Sequence, residues 1–174
     1  ALELIETKEF FGISPDKIET IVHPESLVHA LVGFNDGALM AHVGPPDMRH
    51  AIGYALHWPY RKHLPVDRLD LAQIGQLTFR TPDEARWPAL RLARDVMQAG
   101  GAMGAVFNAA KEAALDAFIA GRIGFMDMSG VVADALAKMS AHEGLQNAPM
   151  QLDTILDIDR ETRQRVADAL THRG

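Results

Sequence analysis

Residues 21–49 read IVHPESLVHALVGFNDGALMAHVGPPDMR, and this stretch is the most informative part of the chain for its fold. Two apolar runs with the alternation of β-strands, at about 27–34 and 38–43, flank the tripeptide Asn35-Asp36-Gly37. Asparagine or aspartate followed by glycine is favoured in tight hairpin turns, because these turns require positive backbone φ angles. The stretch therefore predicts an antiparallel β-hairpin.

Three histidines accompany the predicted hairpin, and a stiff loop follows it. His23, His29 and His42 lie on or beside the strands, and a Gly-Pro-Pro tripeptide at 44–46 ends the second strand. Two successive prolines fix the backbone φ and remove two donors, so the loop can form a wall for a planar ligand or simply end the strand. The spacing of His23 and His29 is not a standard metal-ligand spacing, and each histidine can equally be a hydrogen-bonded structural residue. The residues alone leave both interpretations open.

The composition restricts the class of protein. A chain of 174 residues with 48% hydrophobic residues predicts about one domain with a small extension and a real core. The net charge of −6 argues against a nucleic-acid-binding protein, because no excess of cationic side chains is available to displace counterions from phosphates. The absence of cysteine excludes a disulfide framework, a thiolate metal site and a cysteine nucleophile, and it fits a cytoplasmic protein.

Neither a membrane segment nor a targeting sequence is predicted. No apolar run approaches the roughly 18 residues that cross a bilayer, and no basic segment precedes an apolar one as in a signal peptide. Residues 1–11 already have helical apolar spacing without a preceding cap. We therefore expect the chain to be a piece of a longer protein.

Short elements are predicted around the hairpin. Apolar spacing predicts a helix over residues 1–11 and a short strand over 18–22. A second helix is predicted over 47–57. Residues 59–81 hold scattered proline, arginine and aspartate with little periodicity, which is typical of a connecting segment.

From residue 83 onward the chain is predicted to be helical. Apolar residues at i, i+3 and i+4 and a high alanine content indicate closely packed amphipathic helices. Three or four helices are predicted, over about residues 83–99, 103–120, 127–140 and 152–171, and the last can be broken near Asp157. The predicted fold class is α+β, with a small antiparallel hairpin and helices followed by an all-α helical bundle.

Two further features carry weak chemical signals. Glu3 and Glu6 stand at i and i+3 of the first predicted helix, so both carboxylates can face one direction. They can bind a metal ion, or they can form a solvated first turn favoured by the helix dipole. The glycines at 100–104 follow a helix and lack the G-x-G-x-x-G register, so they are not a dinucleotide-binding loop.

Taken together, these segments resemble the 1-deoxy-D-xylulose 5-phosphate reductoisomerases, the family of the second enzyme of the non-mevalonate isoprenoid pathway. The combination of HPxSxxH from residue 23 with GxPDMR from residue 44 is the most specific part of the resemblance. The similar segments are LELIE at 2–6, IVHPESLVH at 21–29, NDG at 35–37, HVGPPDMR at 42–49, WP at 58–59, LTF at 77–79, FNAAKE at 107–112 and DID at 157–159.

The resemblance implies a division of the chain. In this family an NADPH-binding domain comes first, and the catalytic domain contains a D-S-E metal motif and an S…N-K phosphate site before the helix that begins at residue 1. Residues 1–57 would then be the C-terminal portion of the catalytic domain, residues 58–82 a connecting segment and residues 83–174 the helical C-terminal domain. Most of the NADPH site and two metal ligands would lie outside these residues.

The resemblance also implies roles for single residues. Glu3 matches the third carboxylate ligand of a divalent metal, which replaces the solvated-turn interpretation. His29 matches a histidine of the active-site wall that is important for activity. Pro46 and Met48 match the loop that packs near the substrate and the nicotinamide. Ser26 shares the HPxSxxH motif and is expected beside substrate or cofactor.

Three other positions are less informative. His23 shares the HPxSxxH motif, but the resemblance gives it no definite catalytic role. Lys111 stands where the family usually has a second asparagine, and His57 stands where alanine is more typical. Both departures lie away from the metal site, so they do not change the implied chemistry.

The implied reaction converts 1-deoxy-D-xylulose 5-phosphate to 2-C-methyl-D-erythritol 4-phosphate with NADPH and Mg²⁺ or Mn²⁺, in a homodimeric cytoplasmic enzyme. The oxygen ligand Glu3 suits such hard cations. We expect the 174-residue chain alone to be inactive, because it retains one carboxylate ligand and no nucleotide site. Two alternatives stay open: a non-catalytic structural or dimerisation module, and a histidine-metal hydrolase in which His23, His29 and His42 converge.

Overall fold

The described parts of the chain, residues 1–140, 144–145 and 150–171 of a computed structural model, contain seven α-helices, one 3-10 helix and a two-stranded sheet. The elements in chain order are α1 (Leu2–Phe11), the 3-10 helix (Pro15–Lys17), β1 (Val28–Gly33), β2 (Leu39–Val43), α2 (Arg49–His57), α3 (Leu71–Ile74), α4 (Pro88–Ala99), α5 (Met103–Ile119), α6 (Asp127–Ser140) and α7 (Leu152–Thr171). Two compact units are formed, a helical unit (Ala1–Glu19 with Asp83–Gly174) and a hairpin unit (Thr20–Pro82). None of the described helices is both long and apolar enough to span a membrane.

α5 is the central helix of the helical unit. Its alanines Ala109, Ala110, Ala114 and Ala117 are completely buried, and α4, α6 and α7 all contact it. Small side chains let neighbouring helix backbones approach closely, while the burial of larger residues such as Val106 adds hydrophobic stabilisation. The high alanine content of the sequence therefore corresponds to close helix packing.

α1 packs within the same unit against α4. Leu4 and Ile5 are buried in the core, and a Cβ at Gly104 would lie 3.3 Å from Cγ2 of Ile5, so the glycine permits a close approach of α1 to α5. The helix ends at Gly12, whose φ of 61° is in the left-handed region that suits glycine. The outer face of α1 carries Glu3, which is exposed.

The helical unit combines α1 with the helices after residue 83, whereas the division by sequence assigns α1 to the segment 1–57. The compact units describe contacts within this chain, and the domain boundaries at 57 and 82 stay a prediction. Part of the predicted segment 83–174 lies outside the described residues, namely 141–143, 146–149 and 172–174.

The hairpin forms as predicted. β1 and β2 pair antiparallel, from Val28 opposite Val43 at one end to Gly33 opposite Leu39 at the other. In the turn Gly37 has a φ of 88°, a conformation that glycine adopts without a steric penalty. The Asn-Asp-Gly signal therefore predicted both the strand pairing and the position of the turn.

Both faces of this hairpin are exposed. Nearly all its strand residues are exposed, including Leu39 at 69% and Met40 at 62%. An isolated two-stranded hairpin is only marginally stable in water. Apart from the hairpin, Val22 forms a single antiparallel bridge with Arg80 in the same unit. The apolar side chains of the hairpin are therefore available for contacts with further protein surface.

The predicted strand over residues 18–22 is wrong. Ile18 directly follows the 3-10 helix and is buried in the core of the helical unit, and only Val22 forms a bridge. A short apolar run has the same appearance whether its residues enter a sheet or pack against helices. Periodicity alone could not make this distinction.

The C-terminal helices agree with the prediction except at two places. α4 begins at Pro88 and not at residue 83, because Asp83 Oδ1 accepts the N–H of Ala85 at 2.9 Å and holds these residues in a turn. α7 has no break near Asp157 and runs continuously from Leu152 to Thr171. Ion pairs between residues four apart, such as those on this helix, stabilise a continuous helical conformation.

Candidate functional site

His29 lies at an irregularity in β1. The strand register shifts between Val28 and Ala30, so His29 is the additional residue of a β-bulge. Its Nε2 is 3.0 Å from the carbonyl oxygen of Gly44 and 3.1 Å from that of Pro45. Because both partners are acceptors, Nε2 carries the hydrogen and Nδ1 of the neutral ring keeps its lone pair. The exposed ring can therefore accept a hydrogen bond or a proton at Nδ1.

The loop 44–48 is held against the beginning of β1. The N–H of Gly44 donates to the carbonyl oxygen of Leu27 at 2.9 Å, and the carbonyl of the same glycine accepts from the histidine of the bulge. Pro46 and Met48 are exposed, Met48 at 71%. The loop thus presents an apolar surface, and hydrogen bonds hold its backbone in place at Gly44.

An ion pair that sequence reasoning missed lies in the same loop. Nε of Arg49 is 2.9 Å from each carboxylate oxygen of Asp47, and Nη1 of Arg49 donates to the carbonyl oxygen of Pro65 at 2.7 Å. The hydrogen bonds from Arg49 lower the pKa of the Asp47 carboxyl to about 2. The spacing of Asp47 and Arg49 in the GxPDMR motif could have indicated the ion pair. No feature of the sequence near Arg49 could have indicated its contact with Pro65.

Ser26 adopts an uncommon backbone conformation just before β1. Its φ is 53°, in the left-handed region that residues other than glycine rarely occupy. The N–H of Ser26 donates to the carbonyl oxygen of His23 at 3.1 Å and closes a turn. Such conformations are frequent at active sites and ligand-binding positions. The location of Ser26 beside a ligand stays a prediction.

The three histidines of the region have different surroundings. Nδ1 of His23 is 2.8 Å from the carbonyl oxygen of Thr78, and its ring stacks on Phe79. The rings of His29 and His42 are neighbours, with centroids 5.5 Å apart. Within residues 1–140, 144–145 and 150–171, no three histidine, cysteine, aspartate or glutamate residues are arranged to hold a metal ion. The convergence required for a histidine-metal hydrolase is therefore not found in this part of the chain.

Glu3 lies in the first turn of α1 in the helical unit. Its side chain is exposed and has no hydrogen-bonding or ionic partner among the described residues, and its backbone carbonyl oxygen accepts from Oγ1 of Thr7 at 2.7 Å. Glu6, on the same helix, is exposed as well. An unpaired carboxylate is a suitable oxygen ligand for a hard divalent cation. One such carboxylate does not complete a metal site.

Sequence comparison identifies relatives along the whole chain. Residues 43–165 match the family model described as the DXP reductoisomerase C-terminal domain. All 174 residues align at 69% identity with the 1-deoxy-D-xylulose 5-phosphate reductoisomerase of Ruegeria pomeroyi and cover 44% of that protein. The corresponding protein of Jannaschia sp. is 66% identical over 163 residues, which are 94% of this chain and 42% of the relative.

Solved structures of such enzymes have a similar fold. The 1-deoxy-D-xylulose 5-phosphate reductoisomerase from Zymomonas mobilis in complex with NADPH matches 97% of this chain and 43% of its own length, with a TM-score of 0.87 and 39% identity. A DOX-P reductoisomerase in complex with NADPH, fosmidomycin and magnesium matches 97% of this chain and 42% of its own length, with a TM-score of 0.87 and 32% identity.

The α+β fold is similar to that of the corresponding segment of solved reductoisomerases. The chain belongs to the DXP reductoisomerase C-terminal domain family. It spans about 44% of the length of the Ruegeria pomeroyi relative. Both the α+β fold class and the family resemblance predicted from the sequence are confirmed.

Proposed function

We propose that this chain is the C-terminal part of an NADPH-dependent reductoisomerase that converts 1-deoxy-D-xylulose 5-phosphate to 2-C-methyl-D-erythritol 4-phosphate in non-mevalonate isoprenoid biosynthesis. The observation that carries the proposal is the 69% identity to an enzyme of that name over all 174 residues. The hairpin and the loop 44–48 would contribute part of the active site of the complete enzyme, and Glu3 would contribute a metal ligand. The nucleotide-binding domain and the remaining metal ligands belong to the part of the enzyme outside these residues.

His29 is the residue to which we assign direct contact with the reacting substrate. Its Nε2 is hydrogen-bonded to the carbonyls of Gly44 and Pro45, which fixes the ring and leaves Nδ1 to interact with a ligand. At Nδ1 the imidazole can accept a proton from a substrate hydroxyl, and the protonated ring can donate a hydrogen bond to a developing oxyanion. This role requires a fixed ring orientation, which the two carbonyl contacts supply.

Pro46 and Met48 form an apolar wall in this proposal. Proline has a fixed backbone φ and a rigid ring, and methionine adapts its unbranched side chain to a flat partner. Both side chains are exposed within this chain, as expected for residues that cover a planar nicotinamide and exclude water from it. Ser26, with its positive φ, places a hydroxyl-bearing side chain at the adjoining turn.

Glu3 would hold the divalent metal together with carboxylates from outside this chain. The donor chemistry fits, because the carboxylate is exposed, lacks a partner among the described residues and lies in the first turn of α1. When bound, Mg²⁺ or Mn²⁺ supplies Lewis-acid stabilisation of the substrate oxygens, and NADPH supplies the hydride. α1 packs with its other face in the core of the helical unit, so Glu3 is carried on a rigid element.

The 174-residue chain by itself is inactive in this proposal. One proposed metal ligand and no dinucleotide-binding loop are present in its sequence. The test is an assay of NADPH oxidation with 1-deoxy-D-xylulose 5-phosphate and Mg²⁺ or Mn²⁺, performed in parallel on the purified chain and on the complete enzyme that contains it. We expect turnover by the complete enzyme alone. Turnover by the purified chain would contradict the proposed inactivity of that chain. A complete enzyme that shows no turnover would contradict the proposed reaction.

A second candidate function is a non-catalytic structural or dimerisation module. It is favoured by the exposed apolar residues of the hairpin, among them Leu39 and Met40. The unpaired edges of β1 and β2 could pair with the same strands of a second subunit, which would give a symmetric homodimer. Light scattering over a range of concentrations tests this function, because a chain that stays monomeric at high concentration would contradict it.

We also propose a cytoplasmic enzyme that has no nucleic acid or membrane as partner. The net charge of −6 and the lack of cysteine support this assignment. The choice between Mg²⁺ and Mn²⁺ is left to measured affinities of the complete enzyme.

A further inference from the structure

The ring of His23 joins two segments of the hairpin unit that are far apart in sequence. The side chain is only 6% exposed, and Nδ1 is 2.8 Å from the carbonyl oxygen of Thr78 and 3.1 Å from Oε2 of Glu25. The ring also stacks on Phe79, with centroids 4.7 Å apart and planes 20° apart. Because both neighbours of Nδ1 are acceptors, the neutral ring carries its hydrogen on Nδ1. Nε2 is buried without a hydrogen-bond partner in the described residues.

Further hydrogen bonds connect the same two segments. Oε2 of Glu25 accepts the N–H of Thr78 at 3.2 Å, and Val22 and Arg80 exchange two backbone hydrogen bonds of 2.9 Å each. Hydrogen bonding by Thr78 keeps the pKa of the Glu25 carboxyl below its ordinary value. We call the contacts of residues 22–25 with residues 78–80 the His23 clamp.

The clamp is connected by direct contacts to the residues of the proposed active site. The carbonyl oxygen of His23 accepts the N–H of Ser26 at 3.1 Å, in the turn where Ser26 has positive φ. The next residue, Leu27, accepts the N–H of Gly44 at 2.9 Å. Gly44 in turn accepts the hydrogen bond of His29. A displacement of the turn at residues 23–26 would therefore move both His29 and the loop 44–48.

We infer that His23 is a positioning residue of the reductoisomerase: its Nδ1–H holds the turn that places Ser26, His29 and the loop 44–48 for the reaction. The inference rests on the proposed function, because it assigns these residues to the active site. His23 itself is buried against Thr78 and Phe79, so the inferred role acts through the turn and not through contact with substrate. Small displacements of residues that orient a substrate reduce the rate of the chemical step, by up to about 100-fold for 1 Å.

Two substitutions in the complete enzyme separate the hydrogen bond from simple packing. His23→Phe retains a ring that can stack on Phe79 but removes the donor. His23→Asn places an amide N–H near the position of Nδ1 and restores the donor. We expect kcat of His23→Phe to be about 10- to 100-fold below that of the wild type, with little change in KM and in Mn²⁺ affinity. In His23→Asn the restored donor should bring kcat most of the way back to the wild-type value. A wild-type kcat in folded His23→Phe, or equal losses in both variants, would overturn the inference.

A measurement that does not depend on turnover tests the same inference. In nitrogen-15 NMR of the imidazole rings, His23 of the wild-type enzyme should carry its hydrogen on Nδ1, and an Nε2–H tautomer would overturn the clamp. In His23→Phe the amide resonances of Gly44 and Met48 should shift, whereas unchanged resonances would refute the connection to the loop. If the wild-type enzyme does not turn over the substrate, the proposed function fails, while these two NMR results still decide whether His23 positions the loop.

Discussion

Glu3 makes the most direct prediction at the scale of single residues. In the complete enzyme, Glu3→Gln keeps the size of the side chain but removes the charge of a proposed metal ligand. We expect the affinity for Mn²⁺ to fall by at least about 10-fold, as measured by calorimetry without substrate, and activity at limiting metal to fall with it. The matched control is Glu6→Gln, because Glu6 is exposed on the same helix, and this variant should keep wild-type affinity. An unchanged affinity in Glu3→Gln would exclude a ligand role.

The Asp47–Arg49 pair predicts a pH dependence of stability. The pKa of Asp47 is about 2 in the folded chain against an ordinary value of 3.8, mainly because of the side-chain hydrogen bonds from Arg49. A lowered folded-state pKa means that the pair stabilises the fold above pH 3.8 and that this contribution is lost as the pH falls toward 2. In Arg49→Leu the pKa of Asp47, followed by carbon-13 NMR of the carboxyl group, should move back toward 3.8. A titration midpoint that does not change would contradict the ion pair.

Candidate site residues could be named from the sequence, but their hydrogen-bond partners could not. The HPxSxxH motif indicated His29 as a candidate, whereas its two carbonyl partners depend on a β-bulge that has no signal in the local pattern. The bond between His23 and Thr78 joins residues 55 positions apart. Contacts of this kind depend on how the connecting segment returns to the hairpin, and periodicity contains no information about that path.

At the scale of secondary structure, the predictions succeeded where a local physical cause was sufficient. The Asn-Asp-Gly turn required positive φ at Gly37 and thereby located both strands. Apolar periodicity located α5, α6 and α7, because each helix buries one long face. The strand predicted at 18–22 failed because the burial of Ile18 comes from helices distant in sequence.

α7 contains a buried polar group that predicts a stabilising substitution. Thr162 is completely buried, and its Oγ1 has no hydrogen-bond partner among the described residues. Thr162→Val keeps a β-branched side chain and removes the unpaired hydroxyl, so the free energy of unfolding should rise by about 1 kcal/mol. Thr162→Ala serves as the comparison and should be less stable than Thr162→Val, because it also loses a methyl group from a packed site. Urea denaturation of the chain measures both changes, and a loss of stability in Thr162→Val would show that the hydroxyl is satisfied.

At the scale of the whole molecule, the sequence motifs indicated the family, but the chain corresponds to only part of the length of its relatives. The chain spans about 44% of the length of the Ruegeria pomeroyi relative, and each of its two units exposes some of the proposed site residues. Glu3 belongs to the helical unit, while His29 and the loop 44–48 belong to the hairpin unit. The proposed metal site requires further carboxylates, so reasoning on this sequence alone cannot complete it.

The assignment of the hairpin to a reductoisomerase active site is tested most directly by the turnover of His29→Ala in the complete enzyme. NADPH oxidation with 1-deoxy-D-xylulose 5-phosphate gives kcat/KM, and circular dichroism verifies the fold. The control is His63→Ala, because the exposed ring of His63 forms no hydrogen bond in the described structure. We predict that His29→Ala lowers kcat/KM by about 100-fold or more while His63→Ala retains the wild-type value. A folded His29→Ala enzyme with wild-type kcat/KM would contradict the placement of this hairpin in the active site.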